Sequence, residues 1–172
     1  TVELRFVSGD QWRLFNDTTS WVIGTRVKNN KEDLLRQYTY ADGDFVSQYQ
    51  PITQAVYGQL ESQLSNDLLL TFALRAENYD FSYGDNAGLN GEHDSTMLGG
   101  KLALSYQLGQ QLVYASVSRG YKGAGINPDQ NVSTDNRFYD EEYNWNYEIG
   151  MKGRLADQLT SRVAFFVMKR ED

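Results

Sequence analysis

The chain has 172 residues, a size that one domain can accommodate, and a formal net charge of −7. It contains no cysteine, which excludes disulfide bonds and thiolate metal sites. Its acidic balance argues against a nucleic-acid partner, because no basic patch exists to neutralise phosphates. The mean hydropathy of −0.59 is that of a soluble protein, but a transmembrane barrel also averages to a polar score because its strands alternate apolar and polar residues.

The N-terminal third predicts two strands and a long connection. Residues 1–8 alternate between apolar and polar side chains, which is typical of a strand and not of a signal peptide. Residues 21–27 (WVIGTRV) predict a second, short strand. The polar stretch 28–50 predicts a loop.

The middle of the chain holds the clearest alternation, in residues 68–79 (LLLTFALRAENY). One parity is apolar throughout and is formed by Leu68, Leu70, Phe72, Leu74 and Ala76. The other parity is largely polar. Twelve residues reach the roughly 9–11 that a tilted strand needs to cross a bilayer. A strand at 55–64 precedes this segment, with a turn at 65–67, and the polar stretch 80–95 predicts a loop.

The C-terminal half repeats the same pattern of strands and connections. Strands are predicted at 96–106, 112–119, 146–155 and 159–170. Turns are predicted at 108–111 and 156–158, and a long loop at 121–144. The longest purely apolar run, residues 163–168, is far below the roughly 18 residues of a membrane helix.

The connections alternate between short turns and long loops, as they do in outer-membrane barrels. No helical period suits a crossover, so we predict an all-β fold: an antiparallel up-and-down meander of about eight strands, part of a transmembrane β-barrel. Aromatic residues near the predicted strand ends suggest girdles at the two membrane–water interfaces. They are Trp21, Tyr57, Tyr79, Phe81, Tyr83, Tyr106, Tyr143, Trp145 and Tyr147.

Three segments resemble one protein family. Residues 114–127 (YASVSRGYKGAGIN) resemble the YA…S.GYKAGGFN segment of TonB-dependent outer-membrane receptors. Residues 140–172, which begin DEEYNWNYEIGMKG, resemble the strand pair that begins PE…NYELGLKG in that family. Residues 57–79 are similar to its FGQ…Y.LTD.L.LTAGLRYE hairpin.

The resemblance implies a barrel of roughly 22 strands that an N-terminal plug domain fills. Such receptors take up scarce ligands (ferric siderophores, haem, cobalamin or glycans), driven by the inner-membrane TonB complex. We therefore expect residues 1–172 to be part of a barrel in the outer membrane of a Gram-negative bacterium. The expected partners are membrane lipid, a small-molecule ligand, the plug domain, the remaining barrel strands and the TonB complex. The plug domain, the remaining strands and the N-terminal region that contacts TonB are expected outside this sequence.

Other interpretations are a small complete porin-like barrel and a soluble all-β module that binds carbohydrate or another ligand. The end of the sequence at residues 169–172 lacks the terminal aromatic residue typical of complete outer-membrane proteins, which argues against the porin-like barrel. An enzyme is disfavoured because no base–nucleophile pair is evident. The sequence predicts no cofactor.

Tyr121, Lys122 and Arg137 are the candidate ligand-binding residues, because they lie in a predicted outward loop. His93, the only histidine, is expected in a solvated loop and not in a metal site. The acidic run 140–142 is likewise expected to be solvated. Charged residues of the polar parity could face the lumen or form ion pairs between strands, and we favour the ion pairs. They are Arg75, Glu77, Lys101, Glu148, Lys152 and Arg154.

The two parities predict a test of the membrane interpretation. Replacing Leu102 with Arg places a charge on the predicted lipid face and should cost roughly 2–4 kcal/mol if the site is near the bilayer midplane. Ala103→Arg, on the opposite parity, should cost much less. Refolding into bilayers measures both, and equal penalties would contradict a lipid-facing strand.

Overall fold

The computed structural model describes residues 1–39, 43–156 and 159–171. These residues form eleven strands and two short 3-10 helices, Asp10–Trp12 and Thr134–Asn136. The strands are β1 (Val2–Val7), β2 (Thr19–Asn29), β3 (Glu32–Arg36), β4 (Phe45–Ser65), β5 (Leu68–Asp85), β6 (Asn90–Leu108), β7 (Gln111–Lys122), β8 (Gly125–Ile126), β9 (Phe138–Tyr139), β10 (Glu142–Ala156) and β11 (Leu159–Glu171). In this part of the chain, helices long and apolar enough to span a bilayer are absent.

The predicted antiparallel meander is confirmed. The main sheet runs in the order β1-β2-β4-β5-β6-β7-β10-β11, and every neighbouring pair is antiparallel. β3 pairs with β4 just beyond the end of β2, so it continues the β2 position in the sheet. β8 and β9 form a separate two-stranded ladder.

Two predicted turns are confirmed, at residues 66–67 and 109–110, and both lie on one rim of the sheet, here called the turn rim. The third predicted turn lies partly outside the described residues, but the strands on either side of it pair as predicted. The connection between β1 and β2 also lies at the turn rim, because Thr19 pairs with Ser62. It spans residues 8–18 and breaks the expected rule that every connection on this rim is short.

All three predicted loops are wrong in their bounds. The segment 28–50 contains β3 and the first residues of β4, with residues 40–42 outside the description. The segment 80–95 is almost entirely strand: β5 continues to Asp85, β6 begins at Asn90, and only residues 86–89 turn the chain. The loop predicted at 121–144 begins after β7, contains β8 and β9, and ends at β10. These three connections lie on the rim of the sheet opposite the turn rim, here called the loop rim.

The sheet has an apolar face and a polar face over the strand segments next to the turn rim. Leu70 pairs with Leu104 and Phe72 with Leu102, so these side chains lie on the same face. Leu102 is 47% exposed, as expected for a side chain that meets lipid and not a protein core. Other exposed members of this apolar face are Leu4, Ile23, Val56, Leu74, Leu98, Ile149, Phe165 and Val167.

Towards the loop rim the polarity of the two faces inverts. On β5, Phe81 continues the polar face but is only 1% exposed. Asp80 and Ser82 continue the apolar face, which here is polar. An 18-residue strand at about 3.3 Å per residue is about 60 Å long, so β5 extends well beyond a hydrocarbon core of roughly 30 Å. These extensions were not predicted, because the prediction required the apolar residues to stay on one face along the whole strand.

Glycines on the polar face accommodate tyrosine rings from neighbouring strands. A Cβ on Gly150 would lie 2.6 Å from the end of the Tyr114 ring, and a Cβ on Gly24 would lie 2.5 Å from the Tyr57 ring. In each pair the two residues are directly opposite each other. The flat position of the Tyr114 ring lets its hydroxyl donate to Glu148 Oε1 at 2.6 Å.

We expect Gly150→Ala to destabilise the full-length receptor barrel by about 1–3 kcal/mol, because the new methyl group overlaps the Tyr114 ring. Gly58→Ala is the matched control, since a Cβ there would have an ordinary contact of 3.5 Å and alanine suits a strand better than glycine. Unfolding in urea measures both. Equal stability of the two variants would contradict the ring–glycine packing.

Candidate functional site

The connection between β7 and β10 folds onto the polar face at the loop rim. Ala124 is buried against Phe81 and Tyr83 of β5. A Cβ on Gly123 would lie 3.0 Å from the Tyr79 ring, so the chain passes close over that ring as well. Residues 123–139, here called the inward loop, therefore rest on an aromatic wall. That wall is formed by Tyr49, Tyr79, Phe81 and Tyr83.

Arg137 fastens the inward loop to this wall. Its guanidinium forms an ion pair with Asp85 at 2.8 Å, and the two side chains are 5% and 0% exposed. It also donates to the Tyr83 hydroxyl at 2.9 Å and to the Asn127 carbonyl at 3.0 Å. Asp85 accepts further hydrogen bonds from the backbone amides of Ala87 and Leu89. A buried ion pair with all these partners holds the loop to β5 and its turn.

Tyr121 lies at the end of β7, beyond the last pair that β7 makes with β6. Its ring covers Gly99, where a Cβ would be 2.8 Å from the ring. Its hydroxyl accepts from Arg75 Nε at 3.0 Å and donates to Glu77 at 3.3 Å. Tyr121 thus belongs to a charged cluster on the polar face.

Lys122 is exposed, unlike the other two candidates. Its ammonium lies 3.8 Å from Glu142 and 4.9 Å from the centre of the Tyr139 ring. Among the described contacts, none joins Tyr121, Lys122 and Arg137 directly. Tyr121 and Lys122 immediately precede the inward loop, and Arg137 lies near its end.

The expectation that His93 lies in a solvated loop is wrong. His93 belongs to β6, is partly buried, and stacks on Phe81 at 5.7 Å. Its Nε2 lies 3.6 Å from Glu141 Oε1. A hydrogen bond from the Glu141 backbone amide, aided by His93, holds the pKa of the Glu141 carboxyl below its usual value. Glu142 is not simply solvated either, since it pairs with Arg170 at 2.6 Å.

Within the described ranges, none of the six charged residues that were expected to form ion pairs between strands does so. Arg75 pairs with Glu77 of its own strand, and Glu148 accepts its hydrogen bond from Tyr114. Because alternate residues of one strand share a face, neighbours two residues apart can pair as directly as residues on adjacent strands. No three His, Asp or Glu side chains cluster as metal ligands would within the described ranges.

The aromatic residues predicted as girdles divide between the two faces. Trp145 and Tyr147 stack at 6.3 Å on the apolar face, and Arg119 lies 3.8 Å over the ring of Tyr143. Tyr57, Tyr79, Phe81 and Tyr83 instead lie on the polar face. Sequence reasoning overlooked Asp85, although the alternation of residues 81, 83 and 85 along DFSYGD was the available signal.

A cleft opens between the inward loop and the turn that joins β5 to β6. Its volume is about 370 Å³. It is lined by Ala87, Gly88, Leu89, Gln130, Val132, Thr134 and Arg137. The cleft is small, and its lining includes Arg137, whose guanidinium pairs with Asp85.

A family model described as TonB dependent receptor-like, beta-barrel, matches residues 2–172. The chain belongs to this family. Its fold is similar to that of the ferric yersiniabactin uptake receptor of Yersinia pestis (TM-score 0.76, 22% identity, 96% of this chain and 27% of that one). It is also similar to the alcaligin outer membrane receptor of Bordetella pertussis (TM-score 0.71, 16% identity, 98% and 28%).

A third similar structure is the ferric-catecholate import receptor of E. coli K12 (TM-score 0.66, 15% identity, 86% of this chain and 28% of that one). This family member therefore spans little more than a quarter of the length of these structures. A search of curated proteins finds no match. The family and these neighbours are receptors and not enzymes.

Arg137→Ala in the full-length receptor should detach the inward loop. It leaves the buried Asp85 carboxylate uncompensated, which costs roughly 3–5 kcal/mol. Lys122→Ala is the control, because its ion pair is exposed and worth at most about 1 kcal/mol. Hydrogen exchange of residues 123–139 measures the effect. Unchanged protection in Arg137→Ala, with the barrel folded, would show that the ion pair does not hold the loop.

Proposed function

We propose that this chain is part of an outer-membrane receptor barrel that takes up a scarce ligand of the ferric siderophore class. The observation that carries the proposal is the two-faced antiparallel sheet, apolar where it would meet lipid and polar where it would line a lumen. The named ligands of all three structural neighbours, ferric yersiniabactin, alcaligin and ferric catecholate, support the siderophore class. Haem, cobalamin and glycans are the other ligands that we would test.

The two edges of the sheet support a larger barrel. Among the described strands, β1 and β11 are each paired on one side only. An open edge within lipid leaves backbone groups without hydrogen bonds, and each such group costs several kcal/mol. We infer that further strands of the receptor pair with these edges, that a plug domain fills the lumen, and that an N-terminal region contacts the TonB complex. The receptor would reside in the outer membrane of a Gram-negative bacterium.

The inward loop is the proposed ligand contact. The loop rim lies opposite the short turns, which in outer-membrane barrels are periplasmic, so a ligand arriving from outside meets the loop first. We propose that Lys122 and Tyr121 contact the ligand at the base of the loop, whereas Arg137 acts by positioning the loop. No catalytic step is proposed, because the family acts by binding and transport.

The exposed apolar face separates this proposal from a soluble ligand-binding module. Contiguous side chains such as Leu98, Leu102 and Leu104, each 42–51% exposed, would drive aggregation in plain buffer. A soluble sandwich would bury such a face in a core. Monodisperse behaviour without detergent would therefore favour the soluble module and contradict the receptor.

Loop deletion tests the proposed function directly. Replacing residues 127–137 of the full-length receptor with a short Gly-Ser linker leaves Tyr121 and Lys122 in place but removes the loop beside them. Uptake of radiolabelled ferric siderophore should fall by about ten-fold or more, because a weakening of ligand binding by about 1.4 kcal/mol is already ten-fold. The barrel should stay folded, since closure entropy changes slowly with loop length. Heat-modifiability on gels is the folding control. Unchanged uptake by a folded barrel would exclude the loop from the site.

A further inference from the structure

The connection between β1 and β2 is unusually long for the turn rim. It spans residues 8–18 and contains the 3-10 helix Asp10–Trp12, whereas the hairpins at residues 66–67 and 109–110 reverse the chain within two residues. A two-residue turn keeps its side chains at the ends of the strands. The longer connection can hold side chains away from the sheet.

Three large apolar side chains of this connection are exposed. Trp12 and Phe15 are 72% and 73% exposed, and Leu14 is exposed as well. Asp10 and Arg13 lie among them and form an exposed ion pair at 3.3 Å. Single exposed apolar residues are ordinary at a protein surface, but a cluster of them marks an interaction site. Aromatic side chains that alternate with charged ones are typical of segments at a membrane–water interface.

The backbone of the connection holds Phe15 in an unfavourable conformation. The φ angles of Phe15, Asn16 and Asp17 are 52°, 55° and 64°, all in the left-handed region. Asn and Asp adopt this region fairly readily, but a bulky aromatic residue rarely does so. Thr18 closes the turn, because its hydroxyl donates to the Phe15 carbonyl at 2.8 Å. Strained backbone of this kind is concentrated at functional sites, so the exposed position of Phe15 points to a contact.

The connection is joined to the apolar face of the sheet. The indole Nε1 of Trp21 donates to the backbone carbonyl of Trp12 at 2.7 Å. Trp21 lies on the apolar face, since it is two residues along β2 from the exposed Ile23 and pairs with Leu60 of β4. The hydrogen bond therefore places the backbone of Trp12 beside the turn-rim end of the face that would meet lipid.

We propose that Trp12, Leu14 and Phe15 insert into the bilayer interface at the turn rim, so that the β1–β2 connection is a lipid anchor for this rim. Lipid is the occupant because the connection continues the apolar face of the sheet, and the Asp10–Arg13 pair can stay among the headgroups while the rings enter the leaflet. In outer-membrane barrels this is the periplasmic side. The proposal rests on the proposed placement of the sheet in an outer-membrane barrel.

Photocrosslinking of the full-length receptor in phosphatidylethanolamine–phosphatidylglycerol vesicles tests the anchor. Phe15 is replaced with benzoylphenylalanine, which keeps an aromatic ring at the position. After irradiation, the peptide that contains residue 15 should gain the mass of one phospholipid. Asp67, in the two-residue turn on the same rim, receives the same replacement as a control, and its peptide should stay unmodified.

A charge at Trp12 should remove the anchor. Trp12→Asp should lower the yield of the lipid adduct at residue 15 by about ten-fold or more, because a carboxylate is costly to take out of water. The backbone carbonyl that Trp21 binds is retained in this variant. Gln110→Asp is the matched control, since it adds the same charge to a two-residue turn on the same rim, and it should leave the yield unchanged. Heat-modifiability on gels confirms that each barrel is folded.

Three results would overturn the anchor in a folded receptor. They are a crosslink from residue 15 to another part of the receptor in place of lipid, equal lipid yields at residues 15 and 67, and an unchanged yield in Trp12→Asp. A benzoylphenylalanine at Phe72, on the apolar face, separates the anchor from the membrane placement. A lipid adduct at residue 72 without one at residue 15 would overturn the anchor alone, whereas adducts at neither position would contradict the membrane placement as well.

Discussion

The need to pair every backbone hydrogen-bond group within the protein shapes this sheet. In hydrocarbon, each N–H and C=O must be paired within the protein, so strands run without interruption beside antiparallel neighbours. β4, β5 and β6 satisfy this requirement over 21, 18 and 19 residues. Once the backbone is paired in this way, side chains are free to divide between two faces. The division of apolar and polar residues then determines which face meets lipid and which can meet a ligand.

Much of the fold followed from this division. The alternation at residues 68–79 predicted β5, and the turn residues near 66 and 109 predicted two hairpins correctly. The extensions towards the loop rim did not follow. There, the solvent-facing side chains are Asp80 and Ser82, and the buried side chain is Phe81. Towards the loop rim, the apolar face passes from lipid into water, and the polar face passes from the lumen into contact with the packed inward loop. A prediction that expects one parity to be apolar along the whole strand therefore ends the strand too early.

The site was less predictable than the fold because it depends on contacts between residues far apart in sequence. Arg137 is 52 residues from Asp85, and the two meet only because the inward loop folds back over β5. His93 contacts Glu141 for the same reason. Tyr121, Lys122 and Arg137 were predicted to bind ligand from their position in a long loop, and that role stays a prediction. In the structure Tyr121 belongs to a charged cluster, Lys122 is exposed and Arg137 fastens the loop.

The two faces of β5 exchange polarity along the strand, and spin-label accessibility measures this exchange position by position. Because this chain has no cysteine, a single cysteine introduced between residues 70 and 84 is the only labelling site within it. Any cysteine elsewhere in the full-length receptor is replaced first, and the labelled receptor is studied in bilayers. Up to Ala76, even-numbered positions should be accessible to oxygen from the lipid. From Asp80 onward, even-numbered positions should be accessible to a water-soluble nickel chelate, and Phe81 and Tyr83 to neither reagent. If the nickel chelate reached only one constant face along the whole strand, the two faces would not exchange polarity.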